Sequence, residues 1–160
     1  MSSKLPSRRF AILGLLALGG CGFAPVYSDR NTLRGAIAFK ADETIAGYRL
    51  QERLEQRLGR ATAPRYTLDV TMTRGSRSAA ITDDGDTTRY NVTGIAKWTL
   101  TDATGQQVEK GKVDAFTSYS ATGSTTATQT AATDATARLS VILADMIVSR
   151  LLILSPKLTQ

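Results

Sequence analysis

The stretch Tyr66-Thr67-Leu68-Asp69-Val70-Thr71-Met72 alternates apolar and polar residues at every step. That period of two is the signature of a strand with one face on a core and the other in water. A second run repeats it, with Tyr90, Val92, Ala96, Trp98 and Leu100 on one face and Asn91, Thr93, Lys97 and Thr99 on the other. Thr101 to Gly105 reads as a turn, and a third run follows from Val108 to Tyr119. Strands in succession joined by short turns form, most simply, an antiparallel meander. Upstream, Leu33, Gly35, Ile37 and Phe39 alternate with Arg34, Ala36, Ala38 and Lys40, which predicts a half-buried first strand.

Between the first and second strands, Leu50, Leu54 and Leu58 recur every four residues among Gln, Glu and Arg. This predicts an amphipathic helix, with Asp42 or Thr44 as N-cap and Gly59 at its close. Residues 120–136 are mostly Ser, Thr and Ala, with Asp134 the one charge. Ala131, Ala135, Leu139, Ile142 and Met146 continue smoothly into Leu154, so residues 127–154 read as one helix about 42 Å long, ended by Pro156. Asp145 and Arg150 in its apolar half, and an apolar run of only about 16 residues, argue against a membrane span. The fold class expected is α+β. Residues 33–160 form one two-layer sandwich, two helices on one face of a roughly four-stranded mixed, mostly antiparallel sheet.

The N-terminus reads as an address. Lys4, Arg8 and Arg9 precede Phe10-Ala-Ile-Leu-Gly-Leu-Leu-Ala-Leu18, then Gly19, Gly20 and Cys21. A basic head, a short apolar run and small residues before a cut make a secretory signal peptide over residues 1–20. Leu18-Gly19-Gly20-Cys21 resembles the bacterial lipobox, whose cysteine thiol receives a diacylglycerol. Cys21 is the only thiol in the chain, and several acyl chains on one residue would hold the protein stably at a membrane. Arg8-Arg9 superficially suggests twin-arginine export, but the fuller pattern around the pair is not met. Gly22, rather than Asp, follows the cysteine, which by resemblance to enterobacterial lipoproteins favours the outer membrane. Residues 21–32 read as a tether. Removing residues 1–20 leaves 17 basic against 14 acidic residues, a net +3 that speaks for solubility and against a nucleic-acid partner.

Composition narrows the chemistry. With no histidine and one cysteine, His-based triads, His or Cys metal sites and an intramolecular disulfide are excluded. No motif brings a lysine to a hydroxyl nucleophile, so the reading is a non-enzyme with no cofactor beyond the lipid on Cys21. Asp83-Asp84-Gly85-Asp86 lacks the spacing and distal Glu of a calcium loop and reads as a solvated hairpin tip, leaving no metal site. Arg74, Arg77 and Arg89 flank that tip and are the candidate contacts for a phosphorylated ligand.

These features in this order resemble the LPS-assembly lipoprotein family LptE, in its alphaproteobacterial form. The likeness rests on the signal peptide, Cys21-Gly22-Phe23-Ala24-Pro25-Val26-Tyr27, the leucine-spaced helix, Phe116 to Tyr119, Asp134-Ala135 and the long last helix. The resemblance implies an outer-membrane lipoprotein that plugs the β-barrel LptD, takes part in delivering lipopolysaccharide to the cell surface and binds lipopolysaccharide itself. It carries Cys21 over as the lipidated residue, and it would set Ser124 to Thr136 against the polar lumen wall of the barrel. The rival reading is an accessory lipoprotein of an envelope lipid or solute transporter, with no barrel partner.

Overall fold

Two strands of 16 residues each, β2 (Tyr66–Ile81) and β3 (Thr87–Asp102), form the middle of a four-stranded sheet. β2 pairs antiparallel with β3, and β3 pairs antiparallel with β4 (Gln107–Ser120). β1 (Ile37–Ala41) lies parallel to β2 at the other margin, giving the order β1-β2-β3-β4. The computed structural model describes residues 33–158. The expected signal peptide, Cys21 and the tether lie outside the described residues.

A parallel pair needs a crossover, and α1 (Ile45–Leu58) supplies it. Thr44 is the N-cap, its hydroxyl accepting from the N–H of Gly47 at 3.0 Å. Asp42, the alternative cap, does something else: its carboxylate accepts the N–H of Met72 at 2.6 Å. α2 (Thr125–Leu158) closes the layer above the sheet, starting from Ser124, whose hydroxyl accepts the N–H of Ala127 at 3.3 Å. The inward residues of the strands (Leu68, Val70, Ala96, Trp98, Leu100 and Val113) and the inner stripes of both helices form one buried core. Each fully buried leucine there contributes about 1.5–3 kcal/mol. Trp98 alone buries a side-chain donor, its indole N–H, with no hydrogen-bond partner among the described residues.

Gly94 and Gly47 sit where no side chain would fit. A Cβ on Gly94 of β3 would lie 2.9 Å from Leu139 and 3.1 Å from Leu143, so α2 rests directly on the β3 backbone. A Cβ on Gly47 would lie 2.1 Å from the carbonyl oxygen of Asp42, so the turn from β1 into α1 closes only with glycine there.

Three boundaries differ from the sequence reading. The first strand begins at Ile37, because residues 33–36 turn back, with Ala36 N–H on Leu33 O and Gly35 N–H on Leu58 O. β2 runs to Ile81 rather than stopping at Met72, held by its ladder with β3 although residues 73–81 are exposed throughout. Pro156 lies inside α2 instead of ending it. Proline removes the N–H that would have reached the carbonyl of Leu152, and the hydroxyl of Ser155 donates to that carbonyl at 2.8 Å.

By length and composition alone α2 is apolar enough to cross a membrane. Its Asp145 shows why it is a core helix. The carboxylate accepts from Arg53 Nε and Nη2, both at 3.0 Å, and from Arg57 Nη1 at 2.9 Å, locking α1 to α2 through a bidentate pair and a second cation. These side chains are about one-third exposed, so the gain lies between that of a surface pair and a buried one. Asp145→Asn is expected to lower unfolding stability by about 1–2 kcal/mol, read by urea titration. In an Arg53→Gln/Arg57→Gln background most of that loss should vanish. Gly47→Ala should cost about 1–3 kcal/mol in the same assay. Gly75→Ala, whose new Cβ meets only the Thr93 hydroxyl at 3.2 Å, should change stability by less than about 0.5 kcal/mol.

Candidate functional site

The two halves of the sheet are covered differently. β1 pairs only with residues 66–70 of β2, and α1 starts just beyond the end of β1. β2 and β3 then run on together for another 11 residues of β2. Among the described residues, α2 is the main cover of that far half: Leu139 and Leu143 rest on Gly94, opposite Arg74, and beyond them lies the Ser/Thr/Ala start of the helix. Where a continuation of α1 would lie there is instead a groove of about 690 Å³. The first turns of α1 close one end (Ile45, Ala46, Arg49), α2 forms the wall (Thr130, Thr133, Thr136), and Arg74 rises from β2. A smaller hollow of about 300 Å³ adjoins it at Arg74 and Thr136 and is lined by Ser76, Val92 and Tyr119, with Tyr119 stacked on Tyr90 at 5.4 Å between ring centroids.

The wall is less polar than its composition suggests. Thr130, Thr133 and Thr136 donate their hydroxyls to the carbonyls of Thr126, Gln129 and Ala132, four residues back in α2, at 2.9–3.0 Å. With those donors satisfied within the helix, the side chains offer methyl groups and little bulk to a neighbour. Two contacts tie this half of α2 to β4. Thr117 donates its hydroxyl to Ala135 O at 2.8 Å, and Arg138, ion-paired with Asp134, reaches Ser118 O at 3.1 Å.

The sheet divides the three arginines singled out from the sequence. Arg74 shares the inner face with Met72, pairs with Gly94 across the ladder and lines the groove. Arg77 pairs with Asn91, and Arg89 lies two residues before Asn91 on the same outer face. None of the three has an ion-pair partner among the described residues. Residues 83–86 form the hairpin tip, closed by Thr82 N–H on Asp86 O at 2.8 Å and Asp86 N–H on the Thr82 hydroxyl at 3.0 Å. No group of three or more metal-ligating side chains occurs among the described residues.

Sequence reading missed a second feature, on the helix-free face. Phe116 is 66% exposed there, beside Ile95 and the side-chain-free Gly75, around a depression of about 870 Å³. The signal was present, since Phe116 falls out of phase with inward Val113, Ala115 and Tyr119. On α2, Ile142, Met146 and Ile153 form an apolar row that is partly exposed, Ile153 most of all.

Comparison with known proteins fits this architecture. Residues 33–151 match the family model described as LptE, lipopolysaccharide-assembly. Among solved structures, a candidate lipoprotein from Caulobacter crescentus CB15 is similar with a TM-score of 0.62 and 26% identity, covering 76% of this chain and 92% of its own. Rare lipoprotein B from Shewanella oneidensis shares the fold at TM-score 0.60 and 11% identity, over 78% of this chain and 98% of its own. A minor lipoprotein from Acinetobacter baumannii does so at 0.55 and 16%, over 73% and 88%. No curated protein matches the chain by sequence. The family match spans every strand, all of α1 and most of α2, and the chain belongs to the LptE lipopolysaccharide-assembly family.

Proposed function

We propose that this chain is an outer-membrane lipoprotein, acylated on Cys21, that seats in the lumen of the β-barrel LptD as its plug and assembly partner in lipopolysaccharide delivery. The observation that carries the reading is the family match from the first described residue through most of α2. The uneven cover of the sheet supports it. One apolar core lies under both helices and tapers off at Val92 and Ala135, beyond which the far half presents exposed strands and a slim, methyl-studded helix start. A polar barrel lumen suits such a surface. Signal peptide (1–20), tether (21–32) and sandwich domain (33–160) then have separate tasks of export, reach and docking.

In this reading the exposed arginines meet lipopolysaccharide phosphates. Arg77 and Arg89 serve the helix-free face and Arg74 the groove, because guanidinium forks match phosphate oxygens. The role is binding and assembly, without catalysis or a cofactor.

The test is gentle detergent extraction of outer membranes carrying a C-terminally tagged copy, followed by identification of what co-purifies. A large β-barrel in near-equal amount is the expected result, reduced with Cys21→Ala. Thr128→Arg or Thr133→Arg, which put bulk and charge on the proposed lumen-facing helix start, should lower recovery about tenfold, equivalent to roughly 1.4 kcal/mol. Recovery of the protein alone, or with inner-membrane transporter subunits, would overturn the plug reading in favour of an accessory lipoprotein.

A further inference from the structure

Backbone pairing along β2 stops short on one side. Tyr66 donates its N–H toward β1, to Ala36 O at 3.0 Å, and Met72 donates its N–H to the Asp42 carboxylate. On this strand every second N–H therefore points away from β3, and Arg74 and Ser76 continue the series. Among the described residues nothing pairs with that side of β2 beyond Met72. Residues 73–77 are exposed, and at 3.3 Å per residue they offer about 17 Å of open edge before the bulge at residues 78–80.

We propose that this edge receives an extended, acidic strand from a partner protein, which takes the place β1 vacates at Asp42. Pairing with Arg74 and Ser76 would satisfy their outward N–H and C=O groups. Alternate side chains of the incoming strand would enter the groove beside Ile45, Ala46 and Thr130, whose small apolar surfaces suit medium-sized apolar residues. Charge selects the partner. Arg74 on the inner face and Arg77 on the outer face have no ion-pair partner among the described residues, so an incoming strand with carboxylates on both faces gains two contacts, in competition with the phosphates proposed for them above. A second copy of this chain would instead bring its own Arg74 and Arg77 against them, the device by which edge strands resist self-pairing. The inference goes beyond the plug reading, since it specifies a strand-to-strand contact that barrel recovery alone does not report.

The test places the photo-crosslinker p-benzoylphenylalanine at Thr73 and, separately, at Ala79 of the full-length lipoprotein in its own bacterium, and maps the adducts by mass spectrometry. Both positions are expected to join one acidic segment of one envelope protein, at sites about six residues apart, as two extended chains side by side require. Ser76→Pro removes an N–H that faces the open edge while leaving the ladder with β3, a place where proline is tolerated. It should reduce both adducts at least about tenfold, whereas Ser76→Ala, which keeps the N–H, should not. Where Ser76→Pro fails to fold, the spacing of the wild-type adducts decides. Absence of an adduct, an adduct to a second copy or within the same chain, unrelated sites for the two positions, or indifference of a folded Ser76→Pro would each overturn the proposal. Barrel recovery is scored separately, so either idea can fail without the other.

Discussion

The Asp42 carboxylate takes the backbone N–H of Met72 at 2.6 Å, and with that bond the first strand ends. The main chain turns there, tightly enough that Gly47 has no room for a Cβ, and α1 begins. Because the crossover helix must run back over the sheet to return the chain to β2, it covers only the near half. β2 and β3 are not bound by that limit, since each residue added to the hairpin gains ladder hydrogen bonds from its neighbour. The result is a sheet whose inner margin is shorter than its middle. The groove, the open edge and the one-helix cover of the far half all follow from this mismatch.

α2 is what keeps the two halves in one domain. At 34 residues it is about 51 Å long, more than twice the length of α1. Its later turns bury Leu143, Ile147, Val148 and Leu151 and are clamped to α1 through Asp145. Its earlier turns hold to β4 through Thr117 and Arg138, with threonine side chains folded back on their own helix. Helical stability in proteins comes mainly from packing of one face, so the apolar half of α2 carries the helix and the polar half is carried by it. Apolar bulk is thus concentrated where the fold needs it. It is scarce where, in the reading proposed above, a barrel wall has to pass.

Much of this was legible in the residues, for reasons that are themselves physical. Alternation at 66–72 and 90–100 and the four-residue leucine spacing at 50–58 report half-buried elements, and each such element formed. Legibility failed where burial does not dictate sequence. Residues 73–81 are exposed on both faces, so no alternation marks them as strand, and only the partner ladder makes them one. Pro156 reads as a stop because the side-chain hydroxyl that replaces its missing donor cannot be inferred from spacing. The site shows the same division. The sequence nominated Arg74, Arg77 and Arg89 together because they flank the hairpin tip at 83–86. Strand parity puts the sheet between Arg74 and the other two, and the groove needs the third dimension to exist.

Folding stability then resides mainly in the near half, while the far half is a surface built for something else. Residue-resolved amide hydrogen exchange on the isolated lipoprotein tests this directly. Thr67, Asp69 and Thr99 and the buried turns of α2 should exchange only by global opening. Gly75 and Arg77 of β2 and Thr130 and Thr133 of α2 should exchange at least about a hundredfold faster, a local opening cheaper by roughly 2.7 kcal/mol. Uniform protection across both halves would contradict the division, and the groove would then be a rigid part of a single core.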